Sequence, residues 1–261
     1  ATAQGMVKKV QLSAFKNVRS QGIKAIALKE GDYLVGAAQT SGSDDIMLFS
    51  NLGKAIRFNE YWEKSGNDEA EDADIETEIS DDLEDETADN ENALPSGKHG
   101  VRPSGRGSGG LRGMRLPADG KIVSLITFAP EAAQSDLQVL TATANGYGKR
   151  TPIADYSRKN KGGQGNIAIN TGERNGDLVA ATLVGETDDL MLITSGGVLI
   201  RTKVEQIRET GRAAAGVRLI NLDEGEQLVS LERVAEEPED ASASDEENTT
   251  ESNVTTEDNT P

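Results

Sequence analysis

Four stretches of this 261-residue chain set cations beside glycine, serine and other small residues. They are FKNVRSQGIK (15–24), RPSGRGSGGLRGMR (102–115), YSRKNKGGQGN (156–166) and IRETGRAAAGVR (207–218). Small residues let a backbone come close to a phosphate chain, and their N–H groups can donate to phosphate oxygens beside the charged side chains. The chemistry favoured is non-covalent neutralisation of phosphodiesters. Its candidates are Lys16, Arg19 and Lys24 in the first stretch and Arg102, Arg106, Arg112 and Arg115 in the second. The third supplies Arg158, Lys159 and Lys161, and the fourth Arg208, Arg212 and Arg218. Cations at strand ends (Lys8, Lys9, Arg57, Lys149, Arg150, Arg201 and Lys203) are expected to extend the same surface. Aromatic residues are 3% of the chain and do not interleave a basic stripe. Stacking on single strands is therefore disfavoured, and double-stranded DNA held by its backbone is the expected partner.

Covalent and metal chemistry lack their residues. There is no Cys, so a thiolate zinc site is excluded, and the single His, His99, lies in a Gly/Pro-rich stretch. Residues 105–110 (GRGSGG) match G-x-G-x-x-G. They follow an acidic segment rather than a strand, and no helical pattern begins after them, so a dinucleotide site is not supported. Asp72, Asp74 and Glu76 alternate but lack the glycine and terminal glutamate of a calcium loop. No catalytic residue, bound metal or cofactor is expected in this chain.

The elements that must position the basic stretches recur. A glycine followed by an apolar/basic strand end opens at Gly5 (GMVKK), Gly53 (GKAIR), Gly146 (GYGKR) and Gly197 (GVLIR). A second register opens at Gly22, Gly113, Gly165 and Gly216, and a third at Tyr33, Lys121, Asp177 and Gln227. The last two units repeat at 51 residues in the first register. A period near 50 with short apolar runs and Asn-Gly turns predicts an all-β, propeller-like array of four-stranded blades. Each basic stretch then falls between the second and third strands of its unit, and the four lie along one rim. The units are placed at about 1–43, 44–136, 137–187 and 188–235. Ala1 to Ala3 aligns with Thr141 to Thr143, so the first unit lacks most of its first strand and is expected to be less regular. The chain begins with Ala rather than Met, which suggests a piece of a longer polypeptide.

The formal net charge is −18, yet residues 67–92 hold 14 acids and no base, and residues 236–261 hold 10 acids and no base. Setting these aside leaves 21 acids against 27 Lys and Arg, a body of about +6. Both acidic segments are too poor in apolar residues to offset the entropy of ordering, so both are expected to be disordered: an insertion at about 64–104 and a tail at 236–261. The tail is expected to compete with DNA for the rim. No run approaches 18 apolar residues and no signal peptide is visible, so a soluble cytoplasmic protein is expected.

Aligned by unit, the chain resembles the C-terminal domain of the A subunit of bacterial DNA gyrase. The likeness lies in TATANGYGKRTPIADYS (141–157), ERNGDLVAA (173–181), DDLMLITSGGVLIRTKVEQIRETGR (188–212) and GVRLINLDEGEQLVSLERVAE (216–236), with GMVKKVQLSAF and MLFSNLGKAIRF. The resemblance implies a β-pinwheel whose neighbouring blades exchange strands and whose basic perimeter wraps DNA with positive handedness. It implies a role in ATP-driven negative supercoiling, the partners being the B subunit plus the remainder of the A subunit, in an A2B2 holoenzyme. ATP and Mg would belong to that holoenzyme, as would a nucleoid-associated bacterial location. The family's Q-R-R-G-G-K-G-like box is absent; the nearest relative is Lys159 to Gly165 (KNKGGQG), and about four of the family's six blades are represented. Tyr33, Tyr61, Tyr147 and Tyr156 follow Asp, Glu, Gly and Asp rather than the Arg that precedes the family's nucleophile. The equivalent domain of topoisomerase IV is the alternative within the class, and a protein-docking propeller the alternative outside it. Basic, Gly-rich loops and the likeness across the last two units favour gyrase.

Overall fold

The computed structural model describes residues 1–18, 20–63 and 100–234. Arg19, His99, the acidic tail and most of the insertion, including Asp72, Asp74 and Glu76, lie outside the described residues. Residues 100–104 do not belong with the insertion: Val101 is buried, its N–H donates to the Glu60 carbonyl at 3.1 Å, and Pro103 bridges to Lys9.

The described residues form an all-β array. The strands are β1 (Met6–Val7), β2 (Asp45–Ser50), β3 (Lys54–Asn59), β4 (Leu111–Arg112), β5 (Ile122–Phe128), β6 (Gln138–Thr143) and β7 (Tyr147–Pro152). They continue as β8 (Asn166–Ile167), β9 (Leu178–Val184), β10 (Asp189–Thr194), β11 (Leu199–Lys203), β12 (Val217–Arg218) and β13 (Leu228–Val234). Four antiparallel sheets result, in the orders β1-β4, β5-β2-β3-β8, β12-β7-β6-β9 and β11-β10-β13. The third strand of each unit therefore leaves its own sheet and pairs with the second strand of the preceding one. β4 pairs with β1, β8 with β3 and β12 with β7. β9 packs against both β5 and β13, so the sheets converge on those strands and the exchanged strands lie at the far edge.

This exchange corrects one register. The glycine that precedes the exchanged strand is Gly110 in the second unit, matching Gly165 and Gly216, rather than Gly113. The bonds agree: the N–H groups of Gly113, Ala168 and Leu219, each three residues on, donate at 2.8 Å to the carbonyls of Gly5, Gly53 and Gly146. Another correction is Ala3, whose carbonyl accepts from Ile122 as Ala144 accepts from Leu228; it aligns with Ala144 rather than Thr143. Residues 22–28 form no strand, since no sheet edge precedes them in this chain.

Blade-on-blade packing explains the apolar runs. On β2, Ile46 and Leu48 enter a core shared with the first unit, while Met47 and Phe49 enter one shared with the third. A strand buried on both faces has no reason to alternate. On β10 only one face is covered: Leu190 and Leu192 are buried against the third blade. On the last blade Leu199 is 56% and Val229 50% exposed, and β11 has no further strand beside it among the described residues.

Candidate nucleic-acid interface

Each basic stretch is fastened to the blade before it. The N–H groups of Ser104, Lys159 and Thr210 donate to the carbonyls of Lys9, Arg57 and Arg150 at 2.8 to 2.9 Å. Successive stretches also touch one another. The Arg106 guanidinium donates to the Lys24 carbonyl at 3.2 Å, Gly162 N–H to the Gly113 carbonyl at 2.8 Å, and Arg115 N–H to the Gly163 carbonyl at 2.9 Å. Asn170 N–H reaches the Ala214 carbonyl at 3.4 Å, and Arg212 reaches the Ile167 carbonyl at 3.3 Å. The stretches therefore run side by side as one stripe, in unit order.

Not every predicted cation faces that stripe freely. Lys149 has no solvent exposure, and its ammonium donates to the Gly211 and Arg212 carbonyls of the next unit. Lys8 does the same one unit earlier, donating to the carbonyls of Ala25 (3.0 Å), Arg106 (2.6 Å) and Ser108 (2.8 Å). Arg57 is buried between Asp45 and the Tyr156 carbonyl, and Arg158 is held by the same Asp45 at 2.9 Å. Lys9 bonds the Glu60 carbonyl at 2.9 Å, and Arg150 the Ile207 carbonyl at 2.6 Å. These side chains hold loops in place, which corrects their assignment as free strand-end charges. An interior ammonium or guanidinium must find acceptors, and carbonyls of the exchanged segment provide them.

The remaining candidates are more open. Lys16, Lys24, Arg112, Arg208 and Arg218 are exposed, as is Arg102, which lies over the Trp62 ring at 5.9 Å. Arg201 and Lys203 are exposed but sit beside Asp189 and Glu205. Arg106, Arg115, Lys159, Lys161 and Arg212 are half-buried within the stripe. Sequence reasoning missed Arg174 and Tyr147, which meet Arg218 at the edge of the third blade.

Burial pulls Lys149 down to about 8, with Arg212 adding to the effect. Burial also lowers Lys8, helped by Arg106, and Lys161. For Lys149 the folded value lies below the unfolded one. Its contribution to stability is therefore complete only above the ordinary lysine range, about pH 10.5, and is lost as pH falls through about 8. Lys149→Met should flatten the stability profile across that window. It should also strand two loop carbonyls, costing about 1–3 kcal/mol each at neutral pH. Chemical denaturation at several pH values checks both; a variant with wild-type stability at pH 7 would refute the fastening role.

Among the described residues no cluster of three His, Cys, Asp or Glu could hold a metal, and no helix is long and apolar enough to cross a membrane.

Strand-exchanging blades fastened through basic loops define the class: a propeller-like, all-β module of a nucleic-acid enzyme. The family model described as DNA gyrase C-terminal domain, beta-propeller, matches residues 1–41, 44–61, 99–129, 138–184 and 188–235. The chain belongs to that family. The DNA gyrase A subunit of Neisseria gonorrhoeae is 93% identical over 93% of this chain, which covers 26% of that relative. The chain thus spans about a quarter of the length of the curated relatives it matches. A solved DNA gyrase A C-terminal domain superposes with a TM-score of 0.66 at 22% identity, covering 90% of this chain and 64% of that one. The C-terminal domain of DNA topoisomerase IV gives a TM-score of 0.69 at 20% identity, over 90% of this chain and 60% of that one. Likeness at such identity establishes the fold alone; the sequence match favours gyrase over topoisomerase IV.

Proposed function

We propose that this chain binds and bends double-stranded DNA along its basic stripe, as part of the wrapping domain of a DNA gyrase. The observation that carries the reading is the contact of each cationic loop with the next, which sets separated phosphate contacts along one continuous edge. Many weak backbone contacts on a rigid, curved support favour a bent duplex without reading its bases. The partners would be the B subunit together with the rest of the A subunit, in an A2B2 holoenzyme. Strand cleavage, ATP hydrolysis and bound Mg would lie there, not here. The acidic tail would compete with DNA for the stripe.

The test is binding to linear duplex across a salt series. Lys24, Arg112 and Arg208 are exposed, so replacing all three by Glu leaves the interior fastenings intact. Each lost phosphate contact lowers the steepness of log affinity against log salt by about 0.9, so the triple variant should lose about 2.7. An unchanged slope, or no binding by the wild-type chain at low salt, would overturn the reading.

A further inference from the structure

The edge of the third blade carries a group that the stripe does not account for. Tyr147 opens β7 and lies directly across from Arg218 of the exchanged β12. Arg218 donates to the Tyr147 hydroxyl at 2.6 Å and its guanidinium lies 5.2 Å from the ring centroid. Arg174, from the turn before β9, lies 4.3 Å from the same centroid. Both arginines are exposed, and neither forms an ion pair among the described residues. Their other bonds go to neutral acceptors, the Gly216 carbonyl at 3.1 Å and the Asn221 side chain at 3.2 Å.

Two guanidinium groups gathered on one aromatic ring repel each other, and nothing of opposite charge offsets that. The ring face and the phenol oxygen hold both forks in fixed orientation. A fork fixed in advance loses less freedom when it takes up an oxyanion, and paired guanidinium groups match the oxygens of a phosphate. The arrangement is peculiar to this unit. The residue matching Tyr147 is Met6, Lys54 or Val198 elsewhere, and the turn matching Arg174 reads Asp223, Glu224, Gly225 and Glu226 in the fourth unit. The two guanidinium groups also draw the Tyr147 phenol below its ordinary value, the bond from Arg218 contributing most.

We infer that Arg174, Tyr147 and Arg218 form a phosphate clamp that grips one phosphodiester of the bound duplex at the edge of the third blade. Arg174 and Arg218 touch the phosphate; Tyr147 is a positioning residue that keeps them together. The DNA path is thereby carried from the stripe, which ends locally at Arg218, onto the turn that bears Arg174. This rests on the DNA-binding reading above.

The experiment uses the whole chain in the same salt series, with Arg174→Gln and Arg218→Gln singly, beside the Lys24, Arg112 and Arg208 triple variant. Each glutamine variant should lower the slope by about 0.9. A second readout follows phenolate absorbance, with Tyr147→Phe identifying the Tyr147 signal. Duplex DNA should raise the pH at which Tyr147 ionises, because phosphate offsets the two cations, and inorganic phosphate at equal phosphate concentration should raise it far less. If the triple variant loses slope while both glutamine variants keep it, the clamp is refuted and the stripe stands. A shift produced equally by inorganic phosphate, with slopes unchanged, makes this a free-anion site and overturns the assignment to DNA. Failure of the wild-type chain to bind duplex removes both readings together.

Discussion

Replacing Asp45 by Ala should lower stability by about 3–5 kcal/mol, because it abandons a charge inside the fold. Asp45 has no exposed side-chain surface, and Arg57 only 7%. The carboxylate accepts from Arg57 Nε at 2.8 Å, Arg158 Nε at 2.9 Å and Asn59 at 2.9 Å. Arg57 also lies 5.2 Å over the Phe128 ring, so its guanidinium cannot swing to water without unpacking that contact. Arg158 comes from the third unit, so Asp45 ties a basic loop to the blade before it, and the variant should weaken DNA binding as well. A shift of that size corresponds to a fall in melting temperature of about 10 °C for a fold of this size. The equivalent Asp189–Arg201 pair in the last blade is the control. There Arg201 is 65% exposed, and exposed pairs contribute about 0–1 kcal/mol. Thermal melts of Asp45→Ala and Asp189→Ala side by side decide the matter: equal melting temperatures would show that the buried network adds nothing.

Replacing Gly53 by Ala should cost about 3 kcal/mol, against about 1 for the same change at Gly197. The two glycines open the same hairpin position in different units, with φ of +72° and +81°. A methyl group at either one meets the left-handed penalty, about 1–2 kcal/mol. At Gly53 a Cβ would also stand 2.3 Å from the Ile169 carbonyl oxygen, whereas at Gly197 nothing lies within 4 Å. The difference arises because a following unit crosses Gly53, its Ala168 N–H donating to the Gly53 carbonyl at 2.8 Å. Among the described residues no unit follows the last blade. Denaturant titration of the two variants measures the gap directly. Equal losses would mean that backbone strain alone sets the cost and that the interblade crossing is loose.

The sequence by itself determined the repeat, the all-β class and the position of the basic loops. Turn glycines, Asn-Gly pairs and short apolar runs act over a few residues, so Gly5, Gly53, Gly146 and Gly197 mark the hairpins without knowledge of the fold. The unbroken apolar run on β2 was legible as a strand, but not the reason for it, which is a blade on either face. Only the tertiary structure decided which cations are available. Lys149 and Lys24 read alike in sequence, yet one donates to carbonyls 62 and 63 residues away and the other is exposed. The same holds for Tyr147 and Arg218, which meet across 71 residues. Burial and pairing here are set by strands passed between units, and the pairings that decide them join residues too distant in sequence for any local pattern to record.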